Sequence, residues 1–155
     1  MSKSFTNTVL MVRPHNFGYN AETAENNAFQ SQLNISKSII KDKAIEEFDK
    51  MVDLLQQHGV NVMVIEDTND PVKPDAVFPN NWFSTHPSRL VLYPMYAENR
   101  RVERRGDIIE ELMTEYDYQS LESYTHNESA DRILEGTGSM ILDRDHRIAL
   151  SLIHI

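Results

Sequence analysis

The sequence predicts an α/β fold, and three observations indicate it. Segments 8–14 and 60–67 are short, apolar and rich in β-branched residues, as strands are. Segments 41–59 and 99–116 place apolar side chains at helical spacing. Each predicted helix stands between predicted strands, an order that is typical of α/β domains.

The first half of the chain predicts a strand, a helix and a second strand. TVLMVRP (8–14) ends at a proline, and the polar residues 15–34 follow as a loop with a short ordered segment. The helix over 41–59 has Gly59 placed as a C-cap, and strand 60–67 leads into a turn over 68–74. The apolar residues of this predicted helix recur at helical spacing: Ala44, Ile45, Phe48, Met51, Val52, Leu54 and Leu55.

The second half predicts two strands, a helix, a further strand and a hairpin. AVF, NWFST and RLVLYPM, between residues 76 and 95, predict the strand pair with a turn at HPS. A helix over 99–116 follows, and segment 132–150 predicts a hairpin in which GTG supplies a bend or bulge and RDH supplies the turn. Both halves therefore hint at a repeated strand–strand–helix–strand unit. The predicted helix over 99–116 would place four apolar residues inward: Ile108, Ile109, Leu112 and Met113.

Composition narrows the classes of function. The chain has 155 residues with a net charge of −9, which suits one acidic globular domain. Glutamates and an aspartate interleave with the arginines of 99–105, so nucleic acid is not an expected partner, whereas a small cationic substrate suits the charge. We expect no membrane span, because no apolar run approaches roughly 20 residues. Without a signal-peptide core in the first residues, the expected localisation is cytoplasmic.

Two absences in the sequence restrict the chemistry. There is no cysteine, which excludes disulfides, thiolate metal sites and a cysteine nucleophile within these residues. The histidines have no metal-binding spacing, and no glycine-rich phosphate loop is present. We therefore expect neither a metal nor a cofactor. The histidines considered are His15, His58, His86, His126 and His146.

The stretch PDAVFPNNWFSTH (74–86) carries the first candidate site residues. Asp75 precedes an apolar segment, and its carboxylate could accept two N–H groups of a planar guanidinium or could cap a turn. Asn80 and Asn81 could be turn formers. Beside Trp82 and Phe83, however, amides in a partly dry pocket require polar partners, which a substrate would supply.

Two further candidates lie later in the chain. Arg100 and Arg101 open a predicted helix, where the helix dipole disfavours cations, so they are either a solvated helix end or a site for a substrate carboxylate. Glu135 lies in LEGTGSM, a strand-like segment with two glycines. It is either an exposed edge residue or a carboxylate held in a cleft, where it could orient a histidine.

Four segments together resemble the guanidino-group-modifying (pentein) superfamily, and most closely bacterial citrulline-utilisation hydrolases, amidinotransferase-like proteins and dimethylarginine dimethylaminohydrolases. They cover residues from about 10 to 149 and read MVRPHNFGYNAETAENNAFQ, PDAVFPNNWFSTH, LYPMYAENRRVERRGDIIEEL and LEGTGSMILDR. The resemblance implies a five-bladed α/β propeller, of which residues 1–149 would form the N-terminal half, about two and a half strand–strand–helix–strand blades.

The resemblance also implies roles for the candidate residues. Asp75 matches an aspartate that contacts the substrate, and Arg100 matches an arginine that holds the substrate carboxylate. Asn80 and Asn81 stand where the dimethylaminohydrolases have Glu-Asp, and this change favours a neutral ureido group such as that of citrulline over a guanidinium. Glu135 matches the acidic residue that orients the catalytic histidine, although GTGS here replaces a motif with a second acidic group.

The implied reaction is cleavage of a C–N bond of a guanidino or ureido amino acid, of the citrulline, arginine or methylarginine type, through a covalent thiol intermediate. The cysteine and the histidine that such a reaction needs would lie beyond residue 149, so we expect the 155 residues alone to be inactive. An amidinotransferase and a non-catalytic binding or regulatory fragment are the alternatives, and the oligomeric state is open.

The last six residues, LSLIHI (150–155), form a separate expectation. Their back-translation matches a transposon-end adaptor used for sequencing libraries. We therefore expect residues 150–155 to be a non-native tail.

Overall fold

A computed structural model describes residues 6–24, 27, 30–32 and 34–151 of the chain. The chain divides into two compact units, Met1–Phe78 and Pro79–Ile155, which we call the first and the second unit. Parts of the predicted loop over 15–34 and residues 152–155 of the expected tail lie outside the described residues.

The first unit is a strand–helix–strand motif. Strand β1 (Thr8–Arg13) and strand β2 (Asn61–Glu66) pair in parallel, from Thr8 opposite Asn61 to Arg13 opposite Glu66. Helix α1 (Lys37–Gln57) connects them, because parallel neighbours need a long crossover. The helix begins four residues before the predicted start, since the Ser36 hydroxyl caps it by accepting the N–H of Ile39.

Residues at the end of α1 follow the sequence prediction. Gly59 adopts φ +80° directly after the C-cap residue His58, and this left-handed conformation favours glycine.

Part of the predicted apolar face of α1 stays outside the core: Met51 is 54% and Leu54 56% exposed. A two-stranded sheet is too narrow to cover the full width of the helix. The buried core residues of this unit include Val12, Phe48, Val52 and Ile65.

The turn after β2 contains a buried ion pair. Lys73 Nζ lies 3.1 Å from Asp67 Oδ1, and the two side chains are 1% and 0% exposed. The ammonium donates to the Thr68 carbonyl at 3.1 Å, the Thr68 hydroxyl at 2.7 Å and the Pro71 carbonyl at 2.8 Å. Neither carboxylate oxygen of Asp67 has a hydrogen-bond partner within the described part of the chain. The charge of Lys73 therefore compensates Asp67 and closes the turn that leads to Asp75.

The elements of the second unit are β3 Phe83–His86, β4 Arg89–Leu92, α2 Glu98–Arg101, α3 Gly106–Glu115, β5 Ser120–Ser123, α4 Gly136–Ser139, β6 Met140–Asp143 and β7 Ile148–Ser151, with 3₁₀ turns at Pro79–Asn81 and Thr125–Ala130. Three strands form a sheet in the order β3–β4–β5. Strands β3 and β4 are antiparallel neighbours, whereas β4 and β5 are parallel and are connected through helices α2 and α3. Strands β6 and β7 form a hairpin.

The predicted order of strands and helices is confirmed, but three local predictions were wrong. The helix predicted over 99–116 is interrupted at 102–105, where Glu103 turns inward to meet Arg100. AVF is no strand, because residues 74–77 form a turn. GTGS is a single helical turn, so Glu135 occupies the N-cap position of α4 instead of a strand.

Trp82, which precedes β3, is among the most deeply buried residues of the second unit and is 1% exposed. Tyr93 donates its N–H to the Trp82 carbonyl at 2.9 Å and so extends the β3–β4 pairing. The other buried apolar residues of this unit include Leu90, Met95, Ile108 and Leu112. In the described part of the chain, no helix has both the length and the apolar character needed to cross a membrane.

The buried pair gives a prediction for the first unit. Lys73→Met should lower the free energy of unfolding by roughly 3–5 kcal/mol, because it leaves the Asp67 charge buried without a counter-charge. Lys50→Met is the matched control, since Lys50 pairs with Glu46 on the exposed face of α1. It should change stability little. Urea denaturation measures both variants, and equal effects would show that the Lys73 pair contributes no more than a surface pair.

Candidate functional site

Asp75 lies in the first unit, in the turn over 74–77, and its carboxylate is held by side chains from the loop after β1. Asn20 Nδ2 donates to Asp75 Oδ2 at 2.7 Å, and the Thr23 hydroxyl lies 3.5 Å from the same oxygen. Gln30 fixes Asn20 in turn: the Asn20 N–H donates to Gln30 Oε1 at 2.7 Å, and Gln30 Nε2 donates to the Asn20 carbonyl at 2.9 Å. The buried carboxylate thus has a defined orientation.

Glu135 is the centre of the candidate site in the second unit. Its Oε1 accepts the backbone N–H of Tyr96 at 2.9 Å, and its Oε2 accepts Asn81 Nδ2 at 3.0 Å. Arg100 Nη1 lies 3.9 Å from Oε2. The structure therefore brings together three of the residues that the sequence singled out, although they are far apart along the chain.

Arg100 is buried and forms a bidentate pair with Glu103. Its Nε donates to Glu103 Oε1 and its Nη2 to Glu103 Oε2, both at 3.0 Å. The side chains are 6% and 1% exposed, so the pair is shielded from water. Counted over Arg100, Glu103 and Glu135 alone, the formal charge is −1. Carboxylate oxygens in such a cluster can accept N–H donors of a ligand.

Asn80 and Asn81 form the 3₁₀ turn before β3 and meet the α4 segment. Asn80 Nδ2 donates to the Thr137 hydroxyl at 2.9 Å. Gly136 and Gly138 allow this approach: a Cβ at Gly136 would overlap the Asn80 carbonyl oxygen, and a Cβ at Gly138 would overlap the Asn81 amide. The GTG motif is therefore required because backbone and side chains come within van der Waals range here.

The histidine of the same stretch belongs to a different hydrogen-bonded chain. His86 Nε2 lies 2.8 Å from the Ser84 hydroxyl, which lies 2.7 Å from the Tyr93 hydroxyl. Burial lowers the pKa of His86 below its ordinary value, and the charges of Arg144 and Arg89 lower it further. Among the described residues, no group of three or more His, Asp or Glu side chains is arranged to hold a metal ion.

Sequence reasoning missed several residues of these clusters, among them Glu103 and Asn20. Glu103 stands three positions after Arg100, and this i, i+3 spacing of opposite charges was a usable signal. Asn20 is separated from Asp75 by 55 positions, and no local pattern connects them.

The close approach of the Pro79–Asn81 turn to the glycines of α4 gives a second prediction. Gly136→Ala should lower the free energy of unfolding by about 1–3 kcal/mol, because the new methyl group meets the backbone of Asn80. Gly106→Ala is the control, since nothing lies within 4 Å of a Cβ built there. A chemical denaturation series compares the variants, and an unchanged Gly136→Ala protein would contradict the contact.

A model of the family described as N,N dimethylarginine dimethylhydrolase, eukaryotic, matches residues 13–154. No curated protein sequence matches the chain significantly.

Solved structures share the fold. They include apo ArgZ, an arginine dihydrolase from the ornithine–ammonia cycle in Cyanobacteria, with 20% identity and a TM-score of 0.61, covering 93% of this chain and 20% of that one. AgrE in a ternary complex with ornithine and NAD+ has 21% identity and a TM-score of 0.65, covering 94% and 20%. A cysteine-to-serine mutant of DDAH from Pseudomonas aeruginosa, complexed with citrulline, has 19% identity and a TM-score of 0.60, covering 89% and 47%.

The chain spans about a fifth of the length of ArgZ and AgrE and just under half of the length of the Pseudomonas protein. These matches confirm the resemblance stated from the sequence. The chain belongs to the N,N dimethylarginine dimethylhydrolase family of the pentein superfamily.

Proposed function

We propose that the chain supplies the substrate-binding part of a cysteine-dependent hydrolase that cleaves a C–N bond of a guanidino or ureido amino acid. The observation that carries this proposal is the Glu135 carboxylate, which accepts Tyr96 N–H and Asn81 Nδ2 beside the buried Arg100. In a chain of this family, such a cluster has the acceptors that a planar N–H-rich group requires.

The roles of the proposed substrate-binding residues follow from their chemistry. Asp75 is proposed as an acceptor for the N–H groups of the ligand, with its orientation set by Asn20. Arg100 is proposed to attract the α-carboxylate of the amino acid, as its position in the family pattern suggests. Its bidentate bond with Glu103 would hold the guanidinium plane fixed while it does so.

Citrulline is the proposed substrate type. Asn80 and Asn81 are neutral where the dimethylaminohydrolases have two carboxylates, and hydrogen bonds between neutral groups are worth about 0.5–1.5 kcal/mol against about 1.5–3 kcal/mol for bonds to charged groups. A cationic guanidinium loses more from this change than a neutral ureido group does. The Pseudomonas relative was crystallised with citrulline, whereas ArgZ is named an arginine dihydrolase.

The proposed chemistry requires groups from outside these 155 residues, which contain no cysteine. A cysteine thiolate would attack the central carbon of the ureido or guanidino group, and a histidine would protonate the leaving amine. Water would then attack the thiol-linked intermediate and release the cysteine. Besides contributing acceptors for the ligand, Glu135 is proposed to orient that histidine in the complete enzyme. The matching family and ArgZ are both named as hydrolases, and this favours water over an amine as the acceptor.

We also infer that the chain forms part of a five-bladed α/β propeller, with residues 1–149 as about two and a half blades. Each unit contains a parallel strand pair connected through helix, β1–α1–β2 in the first and β4–α2–α3–β5 in the second. This internal repetition supports the inference.

Calorimetric titration of the 155-residue chain with L-citrulline and L-arginine tests the proposed function. We expect citrulline to bind more tightly, and Glu135→Gln to weaken its binding by about tenfold, because a charged acceptor becomes neutral. Glu122→Gln is the matched control, since Glu122 pairs with Arg89 on the exposed side of β4 and β5. Failure of both amino acids to bind, or equal binding to wild type and Glu135→Gln, would refute the proposal.

A further inference from the structure

Met95 and Tyr96 are consecutive residues between β4 and α2. Charged side chains form hydrogen bonds with the backbone N–H and the carbonyl of both residues. The Met95 N–H donates to Glu128 Oε1 at 2.7 Å, and the Tyr96 N–H donates to Glu135 Oε1 at 2.9 Å. Arg101 Nε donates to the Met95 carbonyl at 3.0 Å, and Arg101 Nη2 donates to the Tyr96 carbonyl at 3.2 Å. We call this arrangement of Met95 and Tyr96 with Glu128, Glu135 and Arg101 the Met95–Tyr96 clamp.

The clamp replaces the hydrogen bonds of regular structure. Residues 93–97 lie outside strands and helices, and Met95 is 0% exposed. Backbone groups at such a position need partners, because an unpaired buried amide is costly. Charged partners form stronger hydrogen bonds than neutral ones and so fix the backbone more tightly.

Glu128 is itself firmly held. It lies on the 3₁₀ turn Thr125–Ala130, where Arg104 Nη1 and Nη2 donate to its two oxygens at 2.5 and 3.0 Å. Arg101 Nε lies 3.5 Å from Glu128 Oε2. Burial raises the pKa of Glu128, but the bonds from Arg104 and the Met95 N–H lower it more, so that its pKa lies below the ordinary value. Glu128 therefore stays ionised.

The clamp connects Glu128 to the candidate site. The segment that Glu128 fixes delivers the Tyr96 N–H to Glu135, and Ala97, the next residue, is the N-cap of α2, which carries Arg100. A displacement of this segment would move a hydrogen-bond donor of Glu135 and the start of α2 together.

We propose that Glu128 is a positioning residue for ligand binding, which acts through the Met95–Tyr96 clamp without touching the ligand. The identity of the ligand in this proposal rests on the proposed function. Glu128 thus sets the geometry between Glu135 and Arg100, and its loss reduces affinity through a shift of the Tyr96 N–H.

Two measurements on the 155-residue chain test this proposal. The first is the ¹H–¹⁵N spectrum of the ligand-free protein, in which Glu128→Ala should move the Tyr96 amide proton upfield, because its bond to Glu135 lengthens. The second is the Kd for L-citrulline, which should rise by about tenfold in Glu128→Ala. Glu128→Gln keeps an oxygen for the Met95 N–H and should have a Kd between those of the wild type and Glu128→Ala.

Glu122→Ala is the control. It removes a carboxylate that pairs with Arg89 between β5 and β4 and is not part of the clamp. It should leave both readouts unchanged. If Glu128→Ala does not fold, Arg101→Met takes its place. This variant removes the hydrogen bonds of Arg101 to the Met95 and Tyr96 carbonyls, and the Arg101 side chain is 30% exposed. The same shift and the same loss of affinity are then expected.

The outcomes separate this proposal from the proposed function. A folded Glu128 or Arg101 variant with an unchanged Tyr96 amide, or with wild-type affinity for citrulline, would overturn the positioning role while the proposed function stands. If the wild type binds neither citrulline nor arginine, the proposed function fails, and the Tyr96 shift alone then decides whether Glu128 positions the Glu135 contact.

Discussion

The carboxylate of Glu135 is the interaction on which the second unit depends. A carboxylate that is only 18% exposed must recover hydrogen bonds that it loses from water. Glu135 recovers them from the Asn81 amide and the Tyr96 N–H, beside the Arg100 guanidinium. One side chain therefore joins the turn before β3, the segment before α2 and the start of α4.

Buried or partly buried charged side chains bind several irregular segments of the described chain. The Arg100–Glu103 pair lies under α2, the Lys73–Asp67 pair closes the turn before Asp75, and Glu128 anchors the segment after β4. Desolvation makes each pair costly, so replacing one partner alone is damaging. Segments without strand or helix bonds gain a single conformation from these contacts, as a binding site requires.

Local patterns predicted the elements whose cause is local. The apolar strands around α1 and the cap at Gly59 follow from periodicity and backbone preference. The helical pattern did not predict the break at 102–105, because the i, i+3 spacing of Arg100 and Glu103 also fits an unbroken helix. Glu135, which looks like a strand residue in LEGTGSM, occupies the N-cap position of α4 without a side-chain cap bond. Its carboxylate accepts Asn81 Nδ2 and the Tyr96 N–H instead, and no local pattern predicts these distant contacts.

Residue chemistry pointed to the site residues, and the family pattern supplied their expected roles. The structure adds the contacts between Asn81, Arg100 and Glu135, whereas the roles of these residues and of Asp75 stay predictions. A ¹H–¹⁵N titration with L-citrulline tests most directly whether this cluster binds a ureido amino acid. We predict that the Asn81 side-chain amide and the Tyr96 amide shift together and saturate at one ligand concentration. Resonances of Asn81 and Tyr96 that stay fixed while others move would contradict it.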